Sequence, residues 1–216
     1  MLDGDRPSQR PIHGQRDTPC LYDLLCMDVV PCLQWTDGKD ILLMNRFIIE
    51  DTPDAIARSL CDQHIVKMPL EEAQMLCTTL WHHAPDYAEK HNLYKPVHQK
   101  HPCTLWAMKT RANYMFAWRL YDAMLDEYTH RYGRKHGCSK HYDALLNGWH
   151  HIPEGSLTPH PQCFSGHDDL KTDEDYPIRA YRAFYQRDKM DFARWNKNRA
   201  MPTWLQSTKE LVVCSM

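Results

Sequence analysis

The chain has 216 residues, 26 Lys+Arg against 28 Asp+Glu, and a formal net charge of −2. That length suits one domain with a sizeable core, and the near-neutral charge argues against a protein held on nucleic acid by electrostatics alone. No apolar run approaches the roughly 20 residues of a membrane span, and the first residues lack both a basic start and an apolar stretch, so neither a span nor a secretory signal is expected.

The nine cysteines follow no framework spacing. Without an export signal they are expected to be reduced thiols of a cytoplasmic protein. The chain carries 14 His, 11 Tyr and 7 Trp against only 8 Gly. Such rings suit a pocket for a flat base, and they also fill ordinary cores.

Residues 1–43 differ from the rest. They hold several turn-formers (Pro7, Pro11, Gly14, Pro19, Pro31, Gly38) and four basic against seven acidic groups, which leaves 22 basic and 21 acidic groups for 44–216. The expectation is a flexible leader over 1–43, or an upstream reading of a protein that starts at Met44, followed by one domain over 44–216. Arg46-Phe-Ile-Ile49 reads as a short apolar, extended segment. Thr52-Pro53-Asp54 is a helix start, with a capping hydroxyl, proline at the first position and an early acid.

A helix is expected from Pro53 to about Met68, and a second from Pro69 to about His82, because a proline ring removes a donor and clashes with the carbonyl four residues back. Residues 84–102 hold three prolines and several histidines and read as a structured loop. A long helix follows from about Thr104 to Tyr132. Tyr114, Trp118, Tyr121, Leu125 and Tyr128 recur on it at steps of four and three, and Gly133 ends it. A shorter helix is expected around Lys140–His150, a proline-rich loop over 151–177, and a last helix from Ile178 to Asn198, closed by Pro202-Thr-Trp204. No alternating strands appear. The fold class is all-α, a single compact helical domain of about five helices.

The segment Leu60–Leu76 organises the chemistry. Helical spacing puts His64, Lys67, Glu71 and Gln74 on one polar stripe. An imidazole, an ammonium and a carboxylate in line can transfer protons; the same letters also describe a solvated face with a Lys67–Glu71 pair. Lys95, His98 and His101 lie just before the long helix, where backbone N–H groups favour anions, and they are candidate phosphate contacts along with Arg46, Arg131, Arg134 and Arg182. Trp106, Tyr114 and Tyr181 are candidates to stack on bases. Cys61-x2-His64 with His98-x2-His101 supplies zinc-type ligands at an unusual spacing, and the di-iron motif Glu127-x2-His130 occurs once where such sites need it twice. Neither makes a metal or cofactor site expected.

Asp62-Gln-His64 followed seven residues later by Glu71, a long aromatic helix entered after His101, and the closing Pro202-Thr-Trp204 resemble phage pyrimidine-dimer DNA glycosylases of the endonuclease V type. Residues 44–216 also resemble a family of small uncharacterised tailed-phage proteins, through the segments His64-x2-Lys67-Met, Lys95-x2-His98-x2-His101-Pro, Glu127-Tyr-x2-Arg131-Tyr-Gly and Ala180-Tyr-Arg. The glycosylase resemblance implies a helical domain that extrudes a base from DNA, with a chain amine attacking C1′ of the sugar and Glu71 as the catalytic carboxylate. His64 would line the same groove. Leu70 stands where that family carries an arginine, and Met44 or Asn45 would stand where it carries an N-terminal threonine. A chain begun at Met1 would leave Lys67 as the nearby amine.

The expected function is therefore a phage-type DNA N-glycosylase or lyase acting on damaged or modified pyrimidines in the host cytoplasm, with DNA or a nucleotide as partner and no membrane. Two alternatives stay open: an enzyme of nucleotide or thymine-base modification that uses the same pocket, and a non-catalytic nucleic-acid or host-protein binder.

Overall fold

Thr52 opens the first helix as its letters require. Its side chain accepts a hydrogen bond from the Ala55 amide at 3.3 Å, and Pro53 occupies the first turn of α1 (Pro53–Ser59). The computed structural model of the chain describes residues 45–164 and 166–206. The leader expected at 1–43 lies outside these residues. Among the described residues the secondary structure is helical, without strands, so the fold class is all-α.

The expected break at Pro69 does not occur. α1 ends at Leu60 instead, and α2 runs unbroken from Asp62 to His83 with Pro69 inside it. The physical reason is tertiary. The Cys61 amide donates to the Tyr185 hydroxyl at 3.0 Å, and the Asp62 amide donates to the Arg194 carbonyl at 2.8 Å. Two N–H groups that a helix start leaves without partners are thus satisfied from far along the chain, which fixes the start of α2 there. Pro69 then costs one interior hydrogen bond in a helix buried along much of its length.

The segment read as a loop over 84–102 contains a short helix, α3 (Pro85–Lys90). The long helix expected over 104–132 is two helices, α4 (Pro102–Lys109) and α5 (Arg111–Tyr132). Thr110 separates them in an extended conformation, and its hydroxyl caps α5 by accepting from Asn113 at 3.2 Å. Gly133 ends α5 in the left-handed conformation, as its position predicts. The helix expected at Lys140–His150 is α6 (Tyr142–Asn147) flanked by 3-10 turns at Gly137–His141 and Gly148–His151. A further 3-10 turn, Asp168–Leu170, interrupts the long loop. The last long helix, α7 (Ile178–Asp188), stops ten residues short of Asn198. Beyond it the Arg194 guanidinium donates to the carbonyls of Met190, Asp191 and Ala193 and holds an irregular turn.

α2 and α5 lie antiparallel at the centre. Ile65 and Met68 from the first half of α2 share one core with Leu120, Met124 and Tyr128 from the second half of α5. Leu76 and Leu80 share the other with Tyr114, Ala117 and Tyr121. No helix among the described residues is long and apolar enough to cross a membrane.

Two ion clusters tie the ends of the domain to this pair. Arg131 is buried between Glu127 (2.7 Å), Asp62 (3.0 Å) and the Arg58 carbonyl (3.0 Å). Arg46 is fully buried and grips Glu72 of α2 through two guanidinium nitrogens, with Nε at 2.9 Å. The ring of Trp106 lies 5.0 Å away. Removing one partner of such a pair strands the other charge in the interior, which costs about 3–5 kcal/mol. Glu72→Ala should lower the urea unfolding free energy by about that amount, and Arg46→Met combined with Glu72→Leu should recover most of it. A Glu72→Ala protein as stable as the parent would show that this pair does not anchor the amino-terminal segment.

Candidate active site

Helical spacing and one long-range fold contact build a cavity at the amino-terminal half of α2. α2 contributes Gln63, His64, Lys67 and Met68, which share its outer face at intervals of three and four. The extended segment 45–49, pinned by Arg46, contributes Asn45 and Phe47. The loop after residue 160 adds Cys163, Phe164 and His167, and the end of α7 adds Phe184, Asp188, Lys189 and Phe192. The cavity measures about 400 Å³, within the range of small-molecule sites.

His64 is its best-defined polar group. The ring stacks on Phe47 at 4.7 Å and meets the edge of Phe192 at 5.5 Å. Its Nδ1 lies 2.8 Å from the Tyr185 hydroxyl. That oxygen already accepts from the Cys61 amide, so its own proton is directed to Nδ1 and the imidazole carries its hydrogen on Nε2. Burial, reinforced by Lys189 and Lys67, pushes the His64 pKa down to about 3. At neutral pH the cavity therefore presents a neutral imidazole that donates rather than a cation.

Glu71 lies one turn beyond Lys67 and is almost completely buried. Its Oε1 pairs with Lys67 Nζ at 2.8 Å, and its Oε2 accepts from the Asn45 backbone nitrogen at 3.4 Å. Burial raises its pKa, and Lys67 opposes the shift without cancelling it. A carboxyl raised by burial beside an ammonium is placed to exchange a proton with it. At the opposite wall, Lys189 Nζ contacts Asp188 at 2.5 Å and lies 4.9 Å from the Phe184 ring, while His167 approaches Asp188 at 3.6 Å.

Other candidates from the sequence lie elsewhere. Lys95 and His98 are exposed. Lys95 rests on the Trp81 ring at 4.7 Å, and the neighbouring Val97 backbone brackets Thr78. Thr78 is seven residues past Glu71 on the same face of α2, about 10 Å along the axis. The histidine-lysine loop thus flanks the carboxylate without lining the cavity. His101 is buried and caps α4, its Nδ1 accepting from the Cys103 amide at 3.2 Å. Arg46 and Arg131 are interior ion-pair partners and not phosphate contacts. Arg182 is half-buried, bonded to the Ile49 carbonyl and Glu50, and packed on Trp204 at 5.1 Å. Arg134 is exposed, 5.9 Å from the Tyr128 ring.

The three rings expected to stack on bases are core side chains instead. Tyr114 is fully buried and donates to the Leu145 carbonyl at 2.7 Å, and Tyr181, also fully buried, donates to the Pro161 carbonyl at 2.8 Å. Trp106 donates to the Thr158 carbonyl at 3.1 Å. Each hydroxyl or indole N–H is used inside the fold, so none is presented to a ligand. The flat faces at the cavity belong to phenylalanines, for which the sequence carried only an apolar signal. Glu127, read as a possible iron ligand, binds Arg131 and Arg199.

Fold and cavity define an all-α protein with a small, aromatic-walled site carrying a neutral histidine and an ammonium–carboxyl pair. No family model, curated protein or solved structure matches the chain.

His64 also shapes the acid stability of the domain. The unfolded chain takes up a proton near pH 6.5 and the folded chain only near pH 3, so this side chain's contribution is complete above pH 6.5 and is lost as pH falls toward 3. The expected slope is about 1.4 kcal/mol per pH unit within that window. His64→Gln should flatten the stability-against-pH curve between pH 6.5 and 4 by up to that slope, measured by urea unfolding at each pH. Parallel curves for the two proteins would place His64 in contact with water and not in the cavity wall.

Proposed function

We propose that this chain processes a base of DNA in the cavity of His64 and Lys67, most concretely as an N-glycosylase or lyase acting on pyrimidines. One observation carries the reading: Lys67 and the Asn45 backbone nitrogen each lie within hydrogen-bond reach of Glu71, and Asn45 and Lys67 line a cavity walled by Phe47, Phe184 and Phe192. A volume of about 400 Å³ suits a single extruded nucleotide rather than a stretch of strand. Flat apolar walls suit the faces of a base, and the His64 Nε2–H suits a carbonyl on its edge.

The chemistry would run from an amine. The amine nitrogen attacks C1′ of the sugar, the base departs with the electrons of the glycosidic bond, and Glu71 accepts the proton that the nitrogen sheds. In a chain beginning at Asn45 the nitrogen 3.4 Å from Glu71 Oε2 would itself be the α-amine; in one beginning at Met44 the amine is one residue upstream. In the chain as written from Met1 the amine available is Lys67 Nζ, 2.8 Å from Glu71 Oε1 and half exposed; its ammonium first gives a proton to solvent, and Glu71 takes the proton shed on attack.

A second reading is an enzyme of nucleotide or base modification that uses this cavity for a free nucleotide. It is favoured by the burial of Arg46 and Arg131, which removes two of the cations a duplex would need. Lys67 and Lys189 line the cavity, each paired with a carboxylate, Glu71 and Asp188.

Borohydride trapping on duplex DNA carrying abasic or modified pyrimidine sites tests both readings. A covalent adduct is expected, and Glu71→Gln should slow its formation by roughly 10²–10⁴-fold, the usual worth of a positioned acid–base group. Proteins begun at Met1 and at Met44 should differ in which amine is trapped, with Lys67→Met abolishing the adduct of the longer form alone. No adduct with any substrate, together with saturable thermal stabilisation by a pyrimidine mononucleotide, would replace the glycosylase reading with the second. Trapping by Glu71→Gln at the parent rate would remove Glu71 from the mechanism.

A further inference from the structure

Beneath the cavity, three metal-ligating side chains converge that the chemistry above does not use. Ligand atoms of His101, Cys103 and Cys163 all lie within 4.8 Å of one another, and all three residues are buried. Cys103 Sγ and Cys163 Sγ are 3.4 Å apart. We propose that His101, Cys103 and Cys163 form a binding site for a single zinc-class divalent ion.

The geometry fits a ligand set. With Zn–S bonds of about 2.3 Å, two thiolates on a tetrahedral ion stand about 3.8 Å apart, close to the spacing here and far from the roughly 2 Å of a disulfide. His101 turns a lone pair toward Cys103: its Nδ1 accepts from the Cys103 amide at 3.2 Å, and ligation through Nδ1 would exchange that hydrogen bond for a bond to the ion. Its Nε2 is buried and without a hydrogen-bond partner.

The fold supplies the three ligands from two fixed supports. His101 and Cys103 begin α4, where Pro102 sets the backbone. Cys163 is clamped at both its backbone groups: its amide donates to the Tyr181 hydroxyl at 3.2 Å, and its carbonyl accepts from Asn45 Nδ2 at 2.8 Å. A soft divalent ion prefers two thiolates and an imidazole to the oxygen donors that hold calcium or magnesium. Three protein ligands leave a fourth position for water or a cavity ligand, and Cys163 also lines the cavity. The ion would fasten the loop after residue 160 to the start of α4, joining two segments remote in sequence.

The test uses the full chain, purified under reducing conditions, exchanged against zinc and freed of loosely held metal. Close to one zinc per chain is expected. Substitution by cobalt(II) should give thiolate-to-cobalt charge-transfer absorption and the intense visible bands of a tetrahedral site. Cys103→Ser, Cys163→Ser and His101→Asn should each weaken zinc binding by roughly a hundredfold. A variant with Cys20, Cys26, Cys32 and Cys214 all changed to serine should keep the ion, which separates this site from those four thiols. Circular dichroism on each variant checks that its helices persist. The proposal is overturned by zinc at background level in the folded parent, by binding unchanged in Cys163→Ser, or by a Cys103–Cys163 disulfide in the reduced preparation, seen as a loss of two hydrogens in mass.

Discussion

The buried Arg46–Glu72 pair is the constraint on which the site depends. A guanidinium in an apolar interior is tolerated only when its charge is met and most of its donors are used. Here Glu72 meets the charge from the middle of α2, and the Trp106 ring of α4 covers the guanidinium. The consequence is positional. With Arg46 fixed, Asn45 is brought to Glu71 on one side and Phe47 to His64 on the other. Neighbours on the chain become opposite parts of one site because a residue between them is anchored below.

The second organising device is a hydroxyl. Tyr185 of α7 accepts from the amide that starts α2 and directs its proton to His64. One side chain thus sets both where the central helix begins and which imidazole nitrogen carries hydrogen. The same bond orients the imidazole, while burial keeps it neutral and raises the carboxyl one turn past Lys67. Burial acts on both groups in the same physical sense, penalising the charged form. For a histidine that means a lower pKa, and for a glutamate a higher one.

The interior holds several ionisable groups. Arg46, Glu72, Glu127, Arg131, His101 and His160 are all buried. They fall into groups, each bridging segments remote in sequence: Arg46 to α2, Arg131 to α1 and α2, and the His101–Cys103–Cys163 cluster from α4 to the long loop. A helical pair packed only through leucine and methionine could slide by one turn. Buried ions and hydrogen-bonded rings penalise such slips, since each would leave a charge unmet. The domain thereby holds the proline-rich stretch 151–164 in a single path with little secondary structure of its own.

Local order was legible in the sequence, because its causes are local. Thr52-Pro53-Asp54 marks a helix start and Gly133 a helix end whatever the rest of the chain does, since a capping hydroxyl and a left-handed glycine act within four residues. The steps of three and four in Tyr114, Trp118, Tyr121 and Tyr128 marked the buried face of α5, and the same arithmetic put His64, Lys67 and Glu71 on one side of α2. What tertiary structure alone decided is where those elements stop and what they face. Pro69 lies inside a helix because Tyr185 and Arg194 hold the chain open at Cys61 instead. Arg46 and Arg131 became anchors because carboxylates from other segments meet them in the interior. Lys189, His167 and Phe184 reach His64 from more than a hundred residues away, and no spacing rule connects groups that only packing brings together.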